Sequence, residues 1–94
     1  MRLQGKNAII TGSNQGIGEA IAIRLAEEGA GVVINYLSDR NSAEQVCHRI
    51  EAKGGRSAAV QADVSIVADT RRLIAESVAA LGPIDILVNN AGIE

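Results

Sequence analysis

Residues 7–18, NAIITGSNQGIG, pass from an apolar run through three glycines into a helix-forming segment with no spacer between them. Few folds accommodate that. Ala8, Ile9 and Ile10 read as a short buried strand stopping at Thr11, and Gly12, Gly16 and Gly18 fall where a backbone turns tightly and enters a helix. A helix N-terminus offers unpaired N–H donors and about half a positive charge, so a pyrophosphate placed there finds hydrogen bonds and a favourable field. In that reading Gly12 permits the turn, Gly16 lets the backbone approach the ligand, and Gly18 lets the first helical turn pack against the strand. Ser13, Asn14, Gln15 and Ile17 complete the set of ligand-binding candidates here. The same glycines also suit a loop that binds nothing, so the rest of the chain has to decide.

Downstream the pattern alternates. A first helix is expected over about 16–28, with Ile17, Ala20, Ile21 and Leu25 on one face and Gly29 ending it. Residues 32–35 form a continuous apolar strand running into Tyr36, as in a parallel sheet covered on both faces. Asn41 with Glu44 three residues on resembles a capping box, Ala43, Val46, Cys47 and Ile50 share a face, and Lys53-Gly54-Gly55 closes this second helix. Residues 57–61 make a weaker strand suited to a sheet edge. Thr70, Leu73, Ile74, Ser77, Val78 and Leu81 mark a third helix, with Ser65 as its expected cap and Gly82-Pro83 as its stop. Residues 84–88 form the fourth strand. The expectation is an α/β, doubly wound parallel sheet of Rossmann type, incomplete at four strands in the order 3-2-1-4 with three helices. Its ligand crevice opens at the carboxyl ends of strands one and four.

Composition narrows the partners. Ninety-four residues, 47% hydrophobic and 21% charged, suit one globular domain. A net charge of −2 with dispersed Lys and Arg argues against nucleic acid or an anionic membrane as partner. Residues 1–6 are polar and the run after them is short, so neither a signal peptide nor a span is expected and the reading is cytoplasmic. Cys47 is the only cysteine, and its place on an apolar face favours packing over reactivity. His48 reads as a solvated surface residue, and no metal site is expected. With no Phe or Trp and one Tyr, the core must be built from Ile, Val, Leu and Ala, which makes it thin for its length.

Thr11-Gly12-x-x-x-Gly16-Ile17-Gly18 resembles the cofactor motif of the short-chain dehydrogenase/reductase family, and Asp63-Val64 and Asn89-Asn90-Ala91-Gly92 continue the resemblance in the family's order. The segments VINY at 33–36 and NNAGIE at 89–94 are most similar to the glucose dehydrogenase and 3-oxoacyl carrier-protein reductase branches. The resemblance implies a dinucleotide cofactor. It assigns Asp63 a hydrogen bond to the adenine amino group and Val64 a backbone contact beside it. Asn90 would line the ribose side, with Ala91 and Gly92 allowing close approach, while Asn89 ties strand ends together. From the residues alone, Asp63 also reads as a helix cap and the Asn-Asn-Ala-Gly run as a plain turn.

A carboxylate after strand two would select NAD, and Asn35-Tyr36-Leu37 supplies none there. Arg40 lies near enough in sequence to meet a 2′-phosphate, which leans toward NADP or dual use and places Tyr36 and Arg40 among the cofactor-binding candidates. Arg40 also reads as a solvated charge. The family's catalytic Tyr-x-x-x-Lys pair and its supporting Ser stand downstream of the Asn-Asn-Ala-Gly segment, and residues 1–94 contain none of them. The chain is therefore expected to be the front, NAD(P)-binding portion of an oxidoreductase acting on an alcohol or carbonyl substrate, inactive by itself, its full-length form a homo-oligomer. The rival expectation is a non-catalytic dinucleotide-binding or assembly module.

Overall fold

The computed structural model describes residues 2–91. β1 (Asn7–Ile10), α1 (Gly16–Glu27), β2 (Gly31–Tyr36), α2 (Arg40–Ala52), β3 (Ser57–Gln61), α3 (Val67–Leu81) and β4 (Ile86–Val88) alternate along the chain. All strand pairings are parallel and the order is β3-β2-β1-β4, as the alternation predicts. β3 is an edge, and β2, apolar except at its two ends and Asn35, is buried along its whole length.

Successive strand residues point to opposite faces, so the sheet divides the interior in two. Ala8, Ile10, Val32, Ile34 and Tyr36 pack with Ala22 of α1 and Ala43, Val46, Cys47 and Ile50 of α2. Ile9, Val33 and Val60 pack on the other side with Leu73 of α3. Each fully buried Ile or Val contributes roughly 1.5–3 kcal/mol, and these aliphatics carry the fold in the absence of large aromatics. Cys47 lies in the first cluster, where burial pushes its thiol pKa up and favours the inert, protonated form.

The helices depart from the sequence reading in instructive ways. α1 buries Gly18 and Ala22, while Ile17 is 60% exposed and Ala20 is also exposed. This helix approaches the turn too closely for larger residues, so Ile21, Ile23 and Leu25 spread to its flanks and reach the core only in part. α2 starts at Arg40, capped by Asp39, whose carboxylate accepts from the Ser42 N–H at 3.1 Å; Asn41 is not the cap. α3 has Ile66 at its N-cap and no side-chain cap. Ser65 cannot serve, because its hydroxyl and its N–H both donate to Asp63 Oδ1, at 2.6 and 3.0 Å.

β4 begins at Ile86, two residues later than expected. Pro83 has no N–H to give a ladder, and Asp85 pairs with Asn7 through its side chain. The Asp85 N–H donates to the Asn7 carbonyl, and Asp85 Oδ2 accepts from the Asn7 N–H, both at 2.9 Å. No helix among the described residues is long and apolar enough to cross a membrane.

Candidate functional site

Three segments meet at the carboxyl ends of the strands. The first is the glycine turn after β1. Gly12 and Gly16 have φ of +60° and +63°, in the left-handed region that a side chain disfavours. Gln15 at the α1 N-cap is extended and makes no side-chain cap, so no side chain occupies the donors of the first helical turn. Gln15, Gly16 and Ile17 are exposed, which leaves this positive helix end open to an anion. The one acidic residue of that turn, Glu19, is neutralised by Arg49 of α2. Asn14 is anchored sideways, its amide donating to Ser42 Oγ at 2.9 Å.

The second segment follows β3. Asp63 devotes Oδ1 to Ser65, while Oδ2 has no partner among the described residues. Those two bonds, the Ser65 hydroxyl first, hold the Asp63 carboxyl below the usual aspartate range. Asp63 closes an Asx turn and does not cap α3, whose N-cap is Ile66. The Asp69 carboxylate accepts from the Asp63 N–H at 2.9 Å, which fixes the backbone. Val64 is half-buried against the α3-side cluster.

The third segment follows β4. Thr11 Oγ1 accepts from the backbone N–H of Asn90 at 2.9 Å and of Ala91 at 3.0 Å. The Asn90 amide donates to the Gly12 carbonyl at 3.2 Å, and a Cβ on Gly12 would lie 3.3 Å from Ala91 Cα. A Cβ on Gly18 would lie 2.4 Å from Gly12 O and 2.6 Å from Asn90 Nδ2. Gly18 therefore packs on the turn and on Asn90 as much as on any strand.

Several candidates sit differently from the sequence reading. The side chains of Ser13 and Asn90 are fully buried, so they shape the turn from behind rather than facing a ligand. Asn89 is exposed but does tie strand ends, its Oδ1 accepting from the Thr11 hydroxyl at 3.4 Å, and Asn90 adds a second tie to the Gly12 carbonyl. Tyr36 is 8% exposed and joins the α1–α2 core, because its strand alternation points it inward beside Ala43 and Val46. Arg40 is exposed and pairs with Glu44 at 3.1 Å. Gly12, Asn14, Gln15, Gly16, Ile17 and Gly18 come together at the turn, Ala91 beside them, with Asp63 and Val64 across β2. Gly92 lies outside the described residues.

Sequence reasoning passed over Asn35, noted there only as neutral. It is 2% exposed, and its Oδ1 accepts from the Gly12 N–H at 2.9 Å. A polar residue in an otherwise apolar, doubly covered strand was the available signal, since such a group is retained only with partners.

Residues 6–94 match the family model described as short chain dehydrogenase. This chain belongs to that family. Among relatives of the short-chain dehydrogenase family, versicolorin reductase 1 of Aspergillus parasiticus is 49% identical over 92 residues, 98% of this chain and 35% of the relative. The 3-oxoacyl-(acyl-carrier-protein) reductase of Staphylococcus epidermidis is 47% identical over 88 residues, 94% of this chain and 36% of the relative. A short-chain dehydrogenase from Burkholderia cenocepacia, solved in complex with NADP, is 47% identical with a TM-score of 0.92, covering 97% of this chain and 37% of that one. The chain thus spans little more than a third of the length of the relatives it matches. A groove of about 1050 Å³ lies at the opposite, amino ends of the strands, between Ile23, Ala26, Ile50 and Gly55, remote from all three segments.

Proposed function

We propose that this chain is the dinucleotide-binding portion of an NAD(P)-dependent oxidoreductase that moves hydride between the nicotinamide and an alcohol or carbonyl compound. The observation that carries the reading is the uncapped, exposed first turn of α1 beneath two left-handed glycines. A pyrophosphate fits there, since Gln15, Gly16 and Ile17 are exposed and no side-chain cap takes the N–H donors of the first turn. The N–H groups at Gly16, Ile17 and Gly18 would hold the phosphates, and the second oxygen of Asp63 would accept from the adenine amino group. When bound, the cofactor supplies the hydride chemistry. This chain's own residues bind and orient it, and none of the described residues is assigned as proton donor.

The lean is to NADP, or to use of both cofactors. No carboxylate stands among Asn35 and Tyr36 at the end of β2 and Leu37 after it, Arg40 is exposed nearby, and the Burkholderia relative is an NADP complex. We further propose that the protein acts in the cytoplasm and as a homo-oligomer, and that residues 1–94 are the N-terminal part of its Rossmann domain. The test is expression of the complete reading frame that encodes this chain, with NADPH and NADH titrated by calorimetry and oxidation followed against ketones and 3-oxoacyl thioesters. Gly16→Val should weaken cofactor binding at least about tenfold, or ~1.4 kcal/mol, with circular dichroism unchanged. An unaltered dissociation constant would place the phosphates elsewhere, and tight dinucleotide binding without turnover on any carbonyl would favour a non-catalytic module.

A further inference from the structure

The side chain of Asn35 links the first segment of the site to the second. Its Oδ1 accepts from the Gly12 N–H at 2.9 Å, and its Nδ2 donates to the carbonyls of Val60 and Ala62 at 3.2 and 3.3 Å. Its backbone is locked to the same turn: the Asn35 N–H donates to Ser13 Oγ at 3.0 Å, and its carbonyl accepts from the Ser13 N–H at 2.9 Å. Ser13 in turn donates its hydroxyl to the Ile10 carbonyl at 2.6 Å. Ala62 immediately precedes Asp63, so one primary amide spans from the first residue of the glycine turn to the threshold of the Asp63 corner. On its far side Gly12 is held by the Asn90 amide.

An apolar residue would serve a buried central strand better, and a polar one survives there only when every group is satisfied. The chemistry also selects asparagine. Aspartate keeps the acceptor but sets a second oxygen against two carbonyls, glutamine is one methylene too long, and serine has a single hydroxyl for two directions. We propose that Asn35 is a positioning residue that holds the glycine turn and the Asp63 corner in one rigid relationship, so that a dinucleotide engages both ends at once. This rests on the dinucleotide reading above. If the two subsites are preset, the adenosine end of a ligand delivers its phosphates to a turn already in place, and less ordering is needed on binding.

The experiment uses the complete protein with two probes, adenosine and ADP-ribose, measured by competition against NADPH. Wild type should bind ADP-ribose far more tightly than adenosine. In Asn35→Asp, which keeps the acceptor for Gly12 but loses the donors to Val60 and Ala62, and in Asn35→Ala, the ratio of the two affinities should fall at least about fivefold, the low end of site-to-site coupling. A wild type that binds neither probe overturns the dinucleotide reading and this inference with it. Normal wild-type binding with ratios unchanged in both variants, even with lowered melting temperatures, makes Asn35 a stabilising residue only and overturns this inference alone. Should both variants fail to fold, amide exchange in wild type decides: saturating adenosine should slow exchange at Gly12, and an unchanged rate refutes the coupling.

Discussion

Gly18 lies so close to Gly12 that a methyl group on the former would sit 2.4 Å from the carbonyl oxygen of the latter. Backbone cannot yield there as a flexible side chain would, and Asn90 closes the other direction at 2.6 Å. Gly18→Ala should therefore cost about 3 kcal/mol, the upper range of overpacking. Gly5→Ala is the control, since φ at Gly5 is +84° with nothing within 4 Å of a Cβ, and conformational strain alone costs about 1–2 kcal/mol. Urea denaturation of both variants checks this; equal losses would deny the collision.

Thr11 offers a second test of how the crevice is held. Its hydroxyl oxygen is the shared acceptor for Asn90 and Ala91, and the residue is buried. Thr11→Val keeps the shape and removes the acceptor, stranding two N–H groups at a cost of about 1–3 kcal/mol. Thr11→Ser keeps the oxygen and should lose less than half as much. A valine variant as stable as the serine variant would show that these bonds contribute nothing.

Arg40 tests cofactor choice. Its pair with Glu44 is solvent-exposed and worth about 0.2–1 kcal/mol, so Arg40→Ala should hardly change the melting temperature. In the complete protein it should weaken NADP several-fold more than NAD, because a charge-assisted bond to a 2′-phosphate is lost only with the former. Equal losses, or none, remove Arg40 from the site.

The topology was legible because it depends on what periodicity measures. Ser57–Gln61 reads as a strand from its short apolar centre, Ala58, Ala59 and Val60, and strand order follows from alternation with short connections. The buried face of α1 was not legible, since a hydrophobic pattern weights Ile17 and Leu25, whereas close packing selects Gly18 and Ala22. Caps failed for a local reason: Asp39 and Asn41 are equally good in sequence, and only the bond to Ser42 separates them. The glycine turn was plain from spacing, yet the inward orientation of Asn90 comes from a partner far off in sequence, and Ser13 joins its local bond to Ile10 with one from Asn35, which no local pattern carries.

Asp63 sets a pH expectation. Its folded pKa is lowered by Ser65, so its contribution is fully present above the unfolded value and is lost as pH falls through the lower, folded one. Through the whole neutral range it remains an ionised acceptor. Carbon-detected NMR titration should place its midpoint below the ordinary 3.8, and Ser65→Ala should raise it. A midpoint at or above that value in wild type would contradict the Asx turn.

Ile9 and Ile10 are neighbours in the chain, yet one packs with Leu73 and the other with Ala22, Val46 and their companions. The sheet acts as a partition between two interiors that share backbone but not side-chain neighbours. Substitution energies should then add across it and interact within it. Val46 and Leu73 can be repacked independently, while Ile10 and Ala22 have to change together. A lineage can remodel the α3 side of such a molecule without disturbing the side on which the glycine turn is seated.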